Sequence, residues 1–397
     1  RHTLVARADV ASGLGGLSVT AANMKLRRKL LLAVTATLLA VLLIEAATAA
    51  WLHWLASDAN FRTFASISQL RDRYGAFDRF EAHRHLGYAL APNYEKPPNR
   101  HNSLGFRGDE LADRSADIPR IAFVGGSTTY GEGVPDYHMS VPQLIELGMQ
   151  HEGKQVQSIN AGCPGWTSLE TLLNFQMRLL DLEPDYLVFY HGINDVLPRM
   201  VWPTSAFRGD LSGWLCRTER LAEAPLLERS NLCRSLLVAT GSIEPHGSLL
   251  RVIGDVPSSS HTFAFRAQRM ANTYPSDVFQ DVAVDQMLRE NGCRYFRRNL
   301  ESLLALAKAH GVRPVLVTFA YSRDFRDRPY IGHPAVQQAI DAMNEVVREL
   351  GQRDEVDLID IAPHLTAKDL FTDGVHFSAK GNVQRGLLLL PYFRERI

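Results

Sequence analysis

The stretch IAFVGGSTTYGEG at residues 121–133 decides the fold that we predict for this chain. An apolar run leads directly into Gly125 and Gly126, and Ser127 follows them. Such a run, ended by two glycines, is typical of a buried strand that turns sharply into a helix. The pattern therefore predicts a serine hydroxyl at the carboxyl end of a strand. A serine that only caps a helix would give the same pattern, so this stretch alone does not establish a nucleophile.

Short β-branched runs alternate with amphipathic stretches through most of the remaining chain. The predicted strands are 121–124, 156–159, 186–190, 314–319 and 356–361, and the predicted helices are about 140–150, 168–181, 296–310, 334–351 and 379–390. Strands that alternate with helices predict a parallel sheet with helices on both faces. In such folds, functional side chains collect at the carboxyl ends of the strands.

Residues from about 197 to 290 interrupt this alternation. They contain Trp202 and Trp214 among scattered Pro and Gly residues, with only short helical pieces. This break in the pattern predicts an insertion between the third and fourth strands. Tryptophans in such loops are more often packed into a core than exposed as a carbohydrate platform.

The composition of the 397 residues is that of a globular protein, with 46% hydrophobic and 22% charged residues. Lys+Arg and Asp+Glu both number 43 and no long basic run occurs, so we expect no nucleic-acid partner. The four cysteines form no CxxC motif and no Cys/His cluster, so we expect no metal site. After export, Cys216–Cys233 and Cys233–Cys293 would be equally simple disulfides, and Cys163 is expected to stay a thiol.

One long apolar segment lies near the N-terminus. Residues 25–29 carry four basic side chains, and the apolar run at 30–55 that follows is interrupted only at Glu45 and His53. About 20 apolar residues span a bilayer, so we predict an uncleaved transmembrane anchor with Glu45 near the far interface. The basic cluster then stays cytoplasmic and the rest of the chain is exported. A cleaved signal peptide that ends at Ala49 is the alternative, and a soluble core helix fits poorly because the run has no polar face.

These features predict four segments. They are an N-terminal tail at 1–29, a transmembrane anchor at 30–55, a juxtamembrane connector at 56–117, and an α/β domain at 118–397 with its insertion at about 197–290. We expect Met24 to be the biological start, and residues 1–23 not to be translated, because they show no periodic pattern. Residues 91–108 are rich in Pro, Asn and Gly, which predicts extended loop.

Three further motifs lie where chemistry is expected. NAG at the end of the second predicted strand offers the main-chain N–H of Gly162. GIND at the end of the third offers Asn194, a neutral amide that can donate to an oxyanion. DGVH near the C-terminus places Asp373 three residues before His376, so that a short turn can join carboxylate and imidazole. Each motif alone is also typical of an ordinary turn or a structural histidine.

In order and position, the four motifs resemble the SGNH (GDSL-like) hydrolase family over about residues 118–397. The first motif departs from the family wording, since Gly126 stands where the acidic residue is usual. NSLGFRG at 102–108 is also similar to a segment of membrane-linked bacterial relatives. The resemblance implies a three-layer α/β/α sandwich of flavodoxin-like type, preceded here by the transmembrane helix.

The resemblance also implies the roles of the site residues. Ser127 would be the nucleophile, His376 the base, and Asp373 the acceptor that orients the imidazole. The main-chain N–H groups of Ser127 and Gly162 and the side-chain amide of Asn194 would form the oxyanion hole. No cofactor would be required.

Three functions follow from these residues. The first is a serine esterase that removes O-acyl groups from a glycan or small-molecule ester, held in the cell membrane with its catalytic domain on the exported side. The second is an acyltransferase in which a sugar hydroxyl of an envelope glycan replaces water. The third is an inactive binding or scaffold protein. The presence of Ser127, Asn194, Asp373 and His376 together argues against it. We expect hydrolysis to dominate.

Overall fold

A computed structural model of the chain divides into two units. The small unit comprises Arg1–Arg73 and Glu223–Leu249, and the large unit comprises Tyr74–Ala222 and Leu250–Ile397. The structure describes residues 11–74, 79–83, 85–201, 207, 209, 226–243, 245, 284–328 and 330–397.

The secondary-structure elements are numbered in chain order. The strands are β1 (Phe80–His83), β2 (Gly87–Leu90), β3 (Glu95–Lys96), β4 (Asn99–Arg100), β5 (Arg120–Gly125), β6 (Gln157–Gly162), β7 (Tyr186–Tyr190), β8 (Arg313–Val317) and β9 (Asp357–Ile359). The helices are α1 (Ala11–Ala50), α2 (Asp58–Phe64), α3 (Ile67–Tyr74), α4 (Ser127–Tyr130), α5 (Val141–His151), α6 (Ser168–Asn174), α7 (Ile193–Val201), α8 (Leu226–Arg229), α9 (Asn231–Ala239), α10 (Val284–Glu290), α11 (Arg294–Ala309), α12 (Pro334–Leu350) and α13 (Ala379–Arg396). A π-helical turn at Trp51–Leu55 extends α1.

The large unit is built on a five-stranded parallel sheet in the order β6-β5-β7-β8-β9. All six residues of β5 are buried, as expected for a strand covered on both faces. The strand order reverses between β5 and β7, because β6 lies on one side of β5 and the later strands lie on the other. The prediction of a parallel, flavodoxin-like sheet is therefore confirmed. Ligands of such sheets bind beyond the carboxyl ends of the strands at this reversal.

Two groups of helices flank the sheet. On one side α5 packs against the C-terminal helix α13. In the other group α6 packs against α11, and α11 contacts α12. The apolar face predicted for the helix near residue 300 is buried at Leu300, Leu303, Leu304 and Ala307. The helices predicted in the α/β region all form. Helix α6 is continued by a π-helical turn at Phe175–Leu179 and a 3₁₀ turn at Leu180–Leu182, and α13 runs six residues beyond its predicted end.

The small unit contains the long apolar helix. Leu26–Leu55 is 30 residues long and contains an 18-residue stretch with a mean hydropathy of 2.4, so by length and composition it can cross a membrane. A small core beside it contains Leu52, Phe61, Ala65 and Leu70, which are all buried. The segment that we predicted as a polar connector includes α2 and α3 of this unit as well as four short strands.

The predictions for the tryptophans of the insertion and for the cysteines have different outcomes. Trp202, Trp214 and Cys216 lie outside the described residues. Cys233 and Cys293 are both free thiols, so the expectation of a disulfide at Cys233, to either Cys216 or Cys293, is wrong. Cys163 is a buried free thiol, as expected.

Candidate active site

Ser127 lies at the first position of the short helix α4, directly after the central strand β5. The turn between them requires glycine, because a Cβ on Gly125 would lie 2.1 Å from Oγ1 of Thr129 and 2.3 Å from the carbonyl oxygen of Tyr190. Gly131 ends the helix with a φ of 87°, which is the left-handed conformation that glycine adopts without strain. The sequence GGSTTYG therefore folds into a tight strand–turn–helix that presents Ser127 beyond the carboxyl end of β5.

Ser127, His376 and Asp373 form one hydrogen-bonded chain. Oγ of Ser127 lies 2.7 Å from Nε2 of His376, and Nδ1 of His376 lies 2.6 Å from Oδ2 of Asp373. An ionised carboxylate can only accept, so Nδ1 must carry the proton. In the neutral imidazole Nε2 is then an acceptor, and the serine hydroxyl must donate to it. The direction of this chain is that required for a base to take the proton of Ser127.

Asp373 is held in its ionised form. Its Oδ1 accepts hydrogen bonds from the main-chain N–H groups of Val375 (3.0 Å) and His376 (2.8 Å). Burial alone would raise the pKa of Asp373, but the hydrogen bond and charge of His376, together with these backbone donors, lower the pKa to about 2. The carboxylate is therefore available near neutral pH to orient the imidazole and to stabilise its protonated form.

The side-chain amide of Asn194 lies beside the turn that carries Ser127. A Cβ on Gly126 would lie 2.4 Å from Nδ2 of Asn194, so the glycine leaves room for this amide. One hydrogen of Nδ2 is donated to the carbonyl oxygen of Trp166 at 2.9 Å. The amide has a second hydrogen, which leaves Asn194 able to donate to another acceptor at this edge of the sheet.

Gly162 is not placed as the sequence predicted. Its N–H donates to Oδ1 of Asn160 at 3.2 Å, so it does not serve as a donor to an oxyanion. Gly162 pairs with Gly125 in the sheet, and a Cβ on it would lie 2.3 Å from the main-chain nitrogen of Tyr130. Its function is to let the helix of Ser127 pack closely on β6.

A different part of the same loop approaches Asn194. Trp166 accepts the hydrogen bond of Asn194 through its carbonyl oxygen, and that oxygen lies 3.5 Å from the position of a Cβ on Gly126. Gly165, the preceding residue, has a φ of 86°, which explains the glycine there. The Pro-Gly pair at residues 164 and 165 is the sequence signal that marks this turn.

A buried polar network lies behind Asn194. The next residue, Asp195, accepts hydrogen bonds from Oγ (2.6 Å) and the main-chain N–H (3.0 Å) of Ser168. Asn299 donates to the same Ser168 hydroxyl at 3.0 Å. His191 lies with Nδ1 3.4 Å from Asp195 and with Nε2 2.7 Å from the hydroxyl of Thr171. The network ties the start of α7, which carries Asn194, to α6 and α11.

Arg107, in the motif NSLGFRG, contacts the other end of the Ser127 helix. Its guanidinium is buried, and Nη1 donates to the carbonyl oxygens of Tyr130 and Gly131, the latter at 2.8 Å. The guanidinium carbon also lies 4.2 Å from the centre of the Tyr130 ring. Burial removes water from the guanidinium and lowers the pKa of Arg107, and the two carbonyl oxygens take the place of water as its hydrogen-bond partners. The arginine of NSLGFRG, whose role could not be derived from the sequence, thus holds the end of the helix that begins at Ser127.

The described residues contain no group of three or more His, Cys, Asp or Glu side chains that could hold a metal ion. A serine hydroxyl bonded to an imidazole, an ionised carboxylate behind that imidazole, and a neutral amide beside the serine are the groups needed for acyl transfer to serine.

The model of the GDSL-like Lipase/Acylhydrolase family matches residues 123–383, which is more than half of the chain. No curated protein matches the sequence. Similar solved structures include a lipase/acylhydrolase from Enterococcus faecalis, with 18% identity and a TM-score of 0.41 over 70% of this chain and 97% of that one. TesA shows 14% identity and a TM-score of 0.41 over 70% and 99%. The acetyl xylan esterase AlAXEase shows 13% identity and a TM-score of 0.39 over 69% and 98%.

Proposed function

The chain belongs to the GDSL-like lipase/acylhydrolase family, and on this basis we propose that it is a serine esterase that removes O-acyl groups through an acyl-serine intermediate. The observation that carries the proposal is the chain of hydrogen bonds from Ser127 through His376 to Asp373, with distances of 2.7 and 2.6 Å. The family implies hydrolysis of an ester bond. The proposed mechanism uses Ser127, His376, Asp373 and Asn194.

In the first step, Oγ of Ser127 attacks the ester carbonyl carbon while Nε2 of His376 takes the hydroxyl proton. The imidazolium that forms is stabilised by the carboxylate of Asp373. The same proton is then given to the leaving alcohol as the ester bond breaks, and the acyl group stays on Ser127. In the second step His376 takes a proton from a water as that water attacks the acyl carbon. The bond between the acyl carbon and Oγ of Ser127 then breaks, His376 returns the proton to Oγ, and the carboxylic acid leaves.

The negative charge on the tetrahedral intermediate needs donors near Ser127. We assign this role to the main-chain N–H of Ser127, at the N-terminus of α4, and to the amide of Asn194. Asn194 supports this assignment because its Nδ2 already lies against the turn, held there by the carbonyl of Trp166. Gly162 is left out because its N–H is bonded to Asn160.

We also propose that the enzyme is anchored in the cell membrane by Leu26–Leu55, with the large unit on the exported side. The basic residues before the apolar helix support this orientation, since such clusters stay on the cytoplasmic side. Acyl esters of glycans or small lipids in the cell envelope are then the substrates within reach.

The test is to measure hydrolysis of p-nitrophenyl esters of different acyl length by the full chain in detergent. Wild-type protein should hydrolyse at least one of them, and Ser127→Ala should lower kcat by more than about 1,000-fold, because the serine acts as one unit with its base. A fluorophosphonate probe should label the wild type on Ser127 and should not label the variant.

Ser158→Ala is the matched control. Ser158 is also a buried serine of the large unit, but it lies near the start of β6 and not at the carboxyl ends of the strands, so its loss should change neither activity nor labelling. Equal turnover by Ser127→Ala and Ser158→Ala would contradict the proposed mechanism.

A further inference from the structure

Glu45 is the one acidic side chain within the apolar helix at 30–55, and the proposed esterase mechanism does not use it. With Lys29 at the membrane surface, Glu45 is 16 residues further on and about 24 Å deeper along the helix axis. The hydrocarbon core is about 30 Å thick, so Glu45 would lie near its far side. An ionised carboxylate there is costly unless protein groups replace its water.

Those groups come from the insertion. Oε1 of Glu45 accepts hydrogen bonds from the main-chain N–H (2.8 Å) and the side-chain amide (3.0 Å) of Asn231. Oε2 accepts from the hydroxyl of Ser230 (2.6 Å) and the N–H of Leu232 (2.9 Å). All four donors belong to the first turn of α9, where helix N–H groups lack partners within the helix. Glu45 therefore binds the N-terminus of a helix that is 185 residues away in the sequence.

The remaining polar groups of α9 also face inward. Arg234 is buried, with Nε 2.8 Å from the carbonyl oxygen of Phe64 and Nη2 2.8 Å from Oε1 of Gln69. By contrast, Leu236 of α9 is 57% exposed and Leu227 of α8 is 66% exposed. Arg229, at the end of α8, is exposed, but α9 buries its only arginine and exposes Leu236, which is the reverse of the distribution found on water-facing helices.

Helix α9 packs directly against α1, which exposes leucines as well. Leu38, Leu42 and Leu43 of α1 are likewise more than half exposed. Exposed apolar side chains on neighbouring helices mark contact with another apolar medium. Because α1 is long enough to cross a bilayer, acyl chains of lipid are the medium that fits these side chains.

We propose that α8 and α9 of the insertion are seated in the exported leaflet of the bilayer beside the anchor, with Glu45 holding α9 in place and lipid acyl chains covering Leu227 and Leu236. This inference rests on the proposed membrane anchoring of Leu26–Leu55. It gives residues 226–243 of the insertion a membrane-binding role. A soluble lid over the active site would have its leucines turned inward.

The experiment uses the full chain in phosphatidylcholine vesicles, with its four cysteines replaced by alanine. An environment-sensitive fluorophore is attached to a single cysteine in place of Leu38, Leu236 or Leu387. Leu387 is the matched control, because it lies in the large unit and is 57% exposed, as Leu236 is. Nitroxide-labelled phosphatidylcholine should quench the label at 38 and 236, and aqueous iodide should quench the label at 387 several-fold more strongly than either.

The experiment distinguishes failure of the proposed membrane anchor from failure of the proposed seating of α8 and α9. Absence of lipid quenching at 38 would contradict the membrane anchor and with it this inference. Lipid quenching at 38 combined with equal iodide quenching at 236 and 387 would overturn only the seating of α9.

Glu45→Ala tests the attachment itself. It removes all four acceptor contacts, so the label at 236 should lose most of its lipid quenching while the label at 38 keeps its own. Glu45→Gln keeps one acceptor oxygen and should give an intermediate result. Hydrolysis of a p-nitrophenyl ester should be unchanged in both variants, which shows that the large unit is folded. Full lipid quenching at 236 in Glu45→Ala would overturn the role of Glu45.

Discussion

Nη1 of Arg107 lies 2.8 Å from the carbonyl oxygen of Gly131, the residue that ends the helical turn begun by Ser127. The same nitrogen donates to Tyr130, so one buried cation binds both carbonyl oxygens at the C-terminus of α4. A positive charge at a helix C-terminus is favourable, and here it also replaces the water that these carbonyls would otherwise need. The position of the proposed nucleophile therefore depends on a residue outside the four recognised motifs.

Arg107→Ala should lower kcat more than it changes KM, because the turn that carries Ser127 loses its support while the substrate pocket remains. It should also destabilise the protein by about 3 kcal/mol, since buried carbonyls lose their donors. Arg107→Lys should recover part of both losses, because an ammonium can still donate to one carbonyl. The measurements are steady-state kinetics and thermal unfolding of the full chain in detergent. An unchanged kcat in Arg107→Ala would refute the positioning role.

Asn194→Asp tests the proposed oxyanion donor with a side chain of the same shape. It removes the N–H groups and adds a negative charge next to the developing oxyanion, so kcat should fall by at least the roughly 100- to 1,000-fold expected for loss of one donor. KM should change much less, because the interaction strengthens only in the transition state. If KM alone rises, Asn194 binds the ground state of the substrate and is not a transition-state donor.

Asp373 should stay ionised throughout the working pH range. Its pKa of about 2 lies below the ordinary value of 3.8, so the stability that it contributes is present above pH 4 and is lost as the pH falls toward 2. The pH–rate profile should accordingly show no ionisation of Asp373 above pH 4. Asp373→Asn should lower kcat by about 10,000-fold, because the imidazolium loses its partner. Retention of more than a tenth of the wild-type kcat would contradict this prediction.

Because of Glu170, the free energy of unfolding should decrease as the pH rises from about 4.5 to about 7. It is fully buried, and burial raises its pKa from 4.5 to about 7 against the opposing hydrogen bonds of Thr167. The folded protein therefore binds the proton more tightly than the unfolded chain, and stability is lost as the pH rises from 4.5 through 7. The loss is on the order of 3 kcal/mol. Thermal unfolding at pH 5 and pH 8 should show it in the wild type, and Glu170→Gln should lack this part of the pH dependence.

The sheet and most of its helices were predictable because their signals are local. The strand ending at Gly125 is a continuous apolar run, and the face containing Leu300 and Leu303 has helical spacing. The proximity of Ser127, His376 and Asp373 was also predictable, because each lies in a recognisable motif and the parallel fold gathers such motifs at one edge of the sheet. The structure places His376 within hydrogen-bond distance of both Ser127 and Asp373, and their catalytic roles remain a prediction.

The predictions failed or were incomplete where the hydrogen-bond partner of a residue could not be identified from its local sequence. Gly162 was selected because it follows a strand, but the direction of its N–H depends on the side chain of Asn160. Likewise, the sequence shows that Glu45 interrupts an apolar run, but its partners at Ser230 and Asn231 lie far along the chain. No local pattern predicts such long-range pairs.

The proposed nucleophile and base are 249 residues apart in the sequence, and the base comes from the last short segment of the chain. Ser127 therefore has no base until translation has passed residue 376. Up to that point we expect the nascent chain to be unable to hydrolyse an ester. A chain that terminates before His376 should likewise be inactive, even though it already contains Ser127 and the whole parallel sheet.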